Sequence, residues 1–181
     1  MSDIVWAINP RKDSLGNLTQ RMRRFATDLL TARGIELRFD ADERDEALPI
    51  SADKRRHVFL IFKESLNNVV RHAECRHVAI DFRVNHDGLV LRVADDGLGL
   101  AHAHNGHGMS EAGANASANV GDGHGLASMH ARARELGGTL AVTTEPAGGT
   151  TLLLRTPFTR GRAARLLARV RMHAVPTRVR R

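Results

Sequence analysis

Cysteine is almost missing from this 181-residue chain: Cys75 stands alone, so no intramolecular disulfide can form. No apolar run approaches the roughly 20 residues that cross a bilayer as a helix, and no apolar segment follows a basic start as in a secretory signal. These absences predict a cytoplasmic chain. Lysine occurs only at positions 12, 54 and 63, and no Gly-x-x-x-x-Gly-Lys-Ser/Thr is present, which excludes a P-loop. Internal repeats are absent too. The formal charge of +7 is confined to one end: residues 159–181 hold eight arginines and no acid. Without those eight charges the rest stands at −1, so the body has no footprint for polyanions and no direct nucleic-acid partner is expected.

What remains suits one domain, with 42% hydrophobic residues to build a core. Residues 1–14 read as the end of an upstream signalling helix and a linker, with Trp6 packing there and Asn9-Pro10 ending the helix. Over 15–33, Leu15, Leu18, Met22, Phe25, Ala26, Leu29 and Leu30 recur at helical spacing, and Gly34 stops the helix. Residues 35–39 alternate as a strand. A second helix runs from Ser51 to about His72 with Val58, Phe62, Leu66, Val69, Val70 and Ala73 inward; Glu64, Asn68 and Arg71 or His72 share another face. A hairpin follows, 78–84 and 89–93 around Asn85-His86-Asp87-Gly88. The run 101–122 of Ala, Gly, His, Asn and Ser has no apolar periodicity and reads as a lid. Residues 125–136 form a helix with Leu126, Met129, Ala133 and Leu136 inward, and 139–144 with 150–156 make a last hairpin.

Three motifs carry chemistry. Glu64 and Asn68, one helical turn apart, are hard oxygen donors suited to a hydrated Mg²⁺, the carboxylate acting through a bound water. Arg71 or His72 lies a turn later, placed to meet phosphate oxygens. Asp95 closes a strand before Gly97 and Gly99, where a carboxylate can accept the exocyclic amine of adenine. Gly123 and Gly125 open a helix whose unpaired N–H groups attract anions. Each motif alone has an ordinary reading, a solvated helix face or a turn; together, in this order, they describe one pocket. Gly106-His107-Gly108-Met109 imitates the last motif but no apolar helix follows it, and His102, His104 and His107 lack a scaffold that could hold a metal.

These motifs resemble the Bergerat-fold ATPase domain of sensor histidine kinases, in the subclass that serves NarL-type response regulators, over nearly all of residues 1–158. Glu64-x-x-x-Asn68 with Arg71-His72 resembles the family's N box, Asp95-x-Gly97-x-Gly99 its first glycine box, and Gly123-x-Gly125-Leu126 its second. Gly149-Thr150 resembles the late Gly-Thr whose hydroxyl joins the adenine contact through water. The resemblance implies a two-layer α/β sandwich, a mixed sheet covered on one face by helices, with ATP and Mg²⁺ between the helices and the lid. It implies a catalytic domain over 15–158 that transfers the γ-phosphoryl group to a histidine on dimerisation helices, and a NarL-type regulator downstream. The subclass places that histidine before an Asp on a helix upstream of residues 2–10. Here His-Asp occurs only at His86-Asp87, in a hairpin turn, so the acceptor is expected on another chain or segment.

Two other readings share the pocket. One is an anti-sigma-type serine kinase and binding module, disfavoured by the helix-like piece around Trp6; the other is an ATP-binding regulatory domain without kinase activity. The arginine-rich residues 159–181 place Ala163, Leu166, Leu167, Val170 and Ala174 near one side of a helix. They suit either a solvated extension or an anionic membrane, the latter reached otherwise only through a parent protein.

Overall fold

The structure, a computed structural model, describes residues 14–86, 88–99, 122–144 and 148–158. The piece around Trp6, the histidine-rich stretch and the arginine-rich end lie outside these residues. So does the expected lid, except for Asp122, which opens a helix.

Helix α1 (Leu15–Thr31) begins at Ser14, whose hydroxyl accepts the Asn17 N–H at 3.3 Å, and ends before Gly34 at φ +68°. Leu15, Leu18, Met22, Ala26 and Leu30 are buried along it, while Phe25 and Leu29 pack half-buried against the same core. Strand β1 (Glu36–Ala41) follows. Helix α2 (Ala52–Asn68) is capped by Ser51, which accepts the Lys54 N–H, and continues into a π-helical turn, Val69–Ala73. Strands β2 (His77–Asn85) and β3 (Gly88–Asp95) form the expected hairpin, each longer than its alternating run. Helix α3 (Asp122–Glu135) and the hairpin β4 (Thr139–Thr144) and β5 (Thr150–Thr156) complete the fold.

The five strands order as β1-β2-β3-β5-β4, with β1 parallel to β2 and every other pair antiparallel. Alternation turns Val78, Ile80, Phe82 and Val84, then Leu89, Leu91 and Val93, then Leu152 and Leu154, toward the helices, all buried. Each such side chain removed from water stabilises by about 1.5–3 kcal/mol. The opposite face carries Asp81 with Arg92 at 3.3 Å and Arg83 at 3.8 Å, with no helix over it among the described residues. The α/β sandwich expected from the sequence is therefore the fold observed. Phe25, Phe59 and Phe62 meet edge-on or tilted between α1 and α2, and Arg55 is fully buried on α2, which its place beside the N-cap did not foretell.

Candidate functional site

Register delivers Asp95. It lies opposite Val78 at the end of β3, beside the start of β5. Its Oδ1 accepts the Gly97 N–H at 3.0 Å and the Thr150 N–H at 3.1 Å; Oδ2 accepts no hydrogen bond among the described residues. Burial pushes this carboxyl above the usual aspartate range, against the pull of those two N–H groups, and the neighbouring Asp96 adds to the rise. Thr150 thus meets Asp95 directly through its backbone. Gly97 and Gly99 have a packing reason to be glycine: a Cβ at 97 would strike the carbonyl of Ala73, and Gly99, at φ +75°, would put one 2.5 Å from Thr144 Cγ2. Leu98 donates to that same Ala73 carbonyl at 2.8 Å, and Gly149 donates to the Gly97 carbonyl at 2.5 Å.

Glu64 and Asn68 are half-buried near and at the end of α2. The switch to π geometry directly after Asn68 inserts a wider turn, of a kind often found at functional sites. It leaves Arg71 exposed and His72 half-buried while Val69 and Ala73 stay in the core. The expectation of a single helix to about His72 is corrected: the five residues Val69–Ala73 form a π turn and do not follow a 3.6-residue period.

Helix α3 starts three residues earlier than its apolar pattern, so Gly123 and Gly125 both fall in its first turn. A Cβ on Gly125 would lie 2.5 Å from Glu64 Oε1, so the second glycine motif sits against the Glu64 carboxylate. Met129 and Ala133 are buried and Leu136 half-buried, as expected. Leu126, expected inward, is instead 36% exposed, because only the later turns of α3 reach the core. At the far end of the helix pair His57 Nδ1 lies 3.2 Å from Glu135 Oε2.

A second cluster escaped the sequence reading. Asp96 Oδ1 accepts the N–H groups of Arg76 and His77, both at 2.8 Å, and its Oδ2 lies 2.6 Å from His77 Nδ1. Partial burial raises the Asp96 carboxyl, but the His77 ring and the two N–H groups outweigh it and hold it at about 2. Arg76 and His77 lie 20 and 19 residues from Asp96 in sequence, so only the β2–β3 register could have paired them. Gly149, at φ +89° against the Asp95 carbonyl, was likewise read only as the partner of Thr150.

Among the described residues no three His, Cys, Asp or Glu gather into a metal cage. Glu64 and Asn68 fit Mg²⁺ by donor type, since that ion keeps most of its waters and takes one or two protein oxygens. The parts lie along one helical rod. Glu64 lies against Gly125 at one end and Ala73 receives the 97–98 turn at the other.

Residues 53–160 match the family described as histidine kinase-, DNA gyrase B- and HSP90-like ATPase. The chain is 28% identical over 104 residues to the sensor protein VraS of Staphylococcus haemolyticus, covering 58% of this chain and 26% of that protein. Against VraS of Staphylococcus aureus strain COL it is 27% identical over 102 residues, covering 56% and 25%. The chain thus spans about a quarter of the curated relatives it matches. Among solved structures, full-length ShkA in complex with AMPPNP superposes with a TM-score of 0.61 at 19% identity, covering 82% of this chain and 31% of that one. The Acinetobacter baumannii histidine kinase AdeS gives 0.55 at 15%, covering 78% and 64%. With this fold, and with more than half its length matched, the chain belongs to the histidine kinase-, DNA gyrase B- and HSP90-like ATPase family and carries the ATP-binding domain found in histidine kinases.

Proposed function

We propose that this domain is the catalytic module of a two-component sensor histidine kinase, transferring the γ-phosphoryl group of ATP to a histidine on dimerisation helices outside the described residues. The observation that carries the proposal is the contact of Gly125 with Glu64, which joins the two phosphate-side motifs across α2 and α3. Asp95, with Oδ1 engaged by the protein, keeps Oδ2 for the adenine amine, and this contact favours adenine over guanine, which presents a carbonyl there. Gly123 and Gly125 offer N–H groups at the start of α3 to the phosphates, with Arg71 and His72 on the N-box side. Thr150 steadies Asp95 through its N–H, and Leu126 stands exposed beside Gly125. Asn68 would hold Mg²⁺ directly and Glu64 would hold one of its waters; bound there, the ion would neutralise charge on the phosphates. Phosphoryl transfer asks little covalent work of the protein, so these residues act by positioning and by excluding water. The resemblance of the N box points to a NarL-type response regulator as the downstream partner.

The decisive experiment mixes the chain with radiolabelled ATP and a separately made dimerisation hairpin from the same genome. Acid-labile, base-stable label on the hairpin is expected. Stable label on a serine of a partner protein would mean the anti-sigma-type activity, and binding without any transfer would mean a regulatory domain.

A further inference from the structure

We propose that His77 is a positioning residue for the nucleotide site: its imidazolium, held between the carboxylates of Asp96 and Glu36, keeps the 95–99 turn in the geometry that receives adenine. Nucleotide affinity then falls when the ring loses its proton. The inference rests on Asp95 as the adenine acceptor.

The geometry is that of a ring hydrogen-bonded to one carboxylate and within ion-pair reach of a second. Nδ1 lies 2.6 Å from Asp96 Oδ2 and Nε2 lies 3.4 Å from Glu36 Oε2. A neutral imidazole has one N–H, so whichever tautomer forms, one ring lone pair faces a carboxylate. Only the doubly protonated ring presents an N–H toward both. The charged groups facing it are Asp96 from the turn, Glu36 from β1 and the adjacent Arg76; the two carboxylates raise the ring above the ordinary histidine value of 6.5 against Arg76 and slight burial. Asp96 is one peptide bond from Asp95. Through its Oδ1 bonds to the N–H groups of Arg76 and His77, and its own N–H to the His77 carbonyl at 3.3 Å, it fastens the turn to the start of β2. The Glu36 N–H donates to the Arg76 carbonyl at 2.9 Å, so β1 joins the same fastening. At 60% exposure the ring exchanges its proton freely with solvent, and the effect of an exposed pair is modest.

The test is calorimetric titration of a non-hydrolysable ATP analogue into the chain and into His77→Gln, Glu36→Gln and Asp95→Asn, at about pH 6 and about pH 9. Protonation of the phosphate chain is common to all four proteins and cancels in their ratios. The wild-type chain should bind about threefold more tightly than His77→Gln at the lower pH and equally at the higher. Glu36→Gln, which leaves every Asp96 bond in place, should keep part of that advantage and lose it at lower pH than the wild type. By reciprocity, nuclear magnetic resonance should show the His77 ring titrating at higher pH once nucleotide is bound. That measurement and Glu36→Gln decide the matter if His77→Gln fails to fold. A ratio unchanged between the two pH values, or a His77 titration unmoved by nucleotide, overturns the proposal. The site reading then still stands if Asp95→Asn has lost affinity. Absence of adenine-nucleotide binding by the wild-type chain would remove the site reading and this proposal together.

Discussion

Asp95 is placed in an environment that costs the apo protein stability. Its folded carboxyl titrates above its ordinary value of 3.8, so the native state loses stability as pH rises from 3.8 through the raised value. Asp95→Asn keeps an oxygen for the N–H groups of Gly97 and Thr150 and buries no charge. We expect the apo variant to melt at or above the wild-type temperature while adenine-nucleotide binding weakens by about 1–3 kcal/mol. Melting curves with and without ADP would check both; a lower apo melting point with an intact nucleotide shift refutes the assignment. Two glycines make a sharper contrast. A Cβ on Gly97 meets a backbone carbonyl that cannot retreat, so Gly97→Ala should destabilise the fold by about 2–4 kcal/mol. A Cβ on Gly125 meets only the head of Glu64, and the helix gains up to about 1 kcal/mol from alanine. Gly125→Ala should therefore keep its denaturation midpoint and slow phosphoryl transfer, since Glu64 must turn aside. Equal loss of stability in both variants would show that Glu64 is held rigidly.

At the scale of the element, the periodic apolar stripes of α1, α2, α3 and the strands were legible because each buries one face: Leu18, Met22, Val58, Phe62 and Ile80 are fully inside. The π turn after Asn68 was not. A wider turn forgoes regular helical bonding, and what fixes it here is tertiary: the Ala73 carbonyl is taken by Leu98 and Val69 stays in the core. The exposure of Leu126 has the same origin, since α3 meets Glu64 at Gly125, the residue before it. Asn68 is half-buried at the junction and fills no core. Asn68→Ala should leave the far-ultraviolet circular dichroism and the melting temperature unchanged and abolish Mg²⁺-dependent labelling of an added dimerisation hairpin. Wild-type labelling by this variant would remove the metal role.

For the whole molecule, two groups at the turn shape stability against pH in opposite directions. Asp96 is depressed to about 2, so its contribution is complete above the ordinary 3.8 and lost as pH falls toward 2. His77 is raised, so its contribution is complete below 6.5 and lost as pH rises through its raised value. The urea midpoint should be highest between these limits, and Asp96→Asn should flatten both flanks. A variant that keeps the alkaline decline would move that titration to another group. Across the described residues no helix is long and apolar enough to cross a membrane, and the core formed by the helices and one sheet face is continuous.

Sequence by itself determined most of the elements and the order of the three motifs, because helical and strand periods are local and Gly, Asn and Asp mark where the chain must turn; the sandwich was implied by the family resemblance those motifs carry. Strand spacing even placed Asp95 at a strand end. Tertiary structure alone decided which atoms meet. Parallel pairing of β1 with β2 brings Glu36 beside His77, and antiparallel register brings Asp96 there from 19 residues away. The approach of α3 to α2 sets Gly125 on Glu64, and the buried Asp45 accepts the N–H of the distant Val84 at 2.9 Å. Such pairs leave no local pattern, since neither partner's neighbours in sequence carry any mark of the contact.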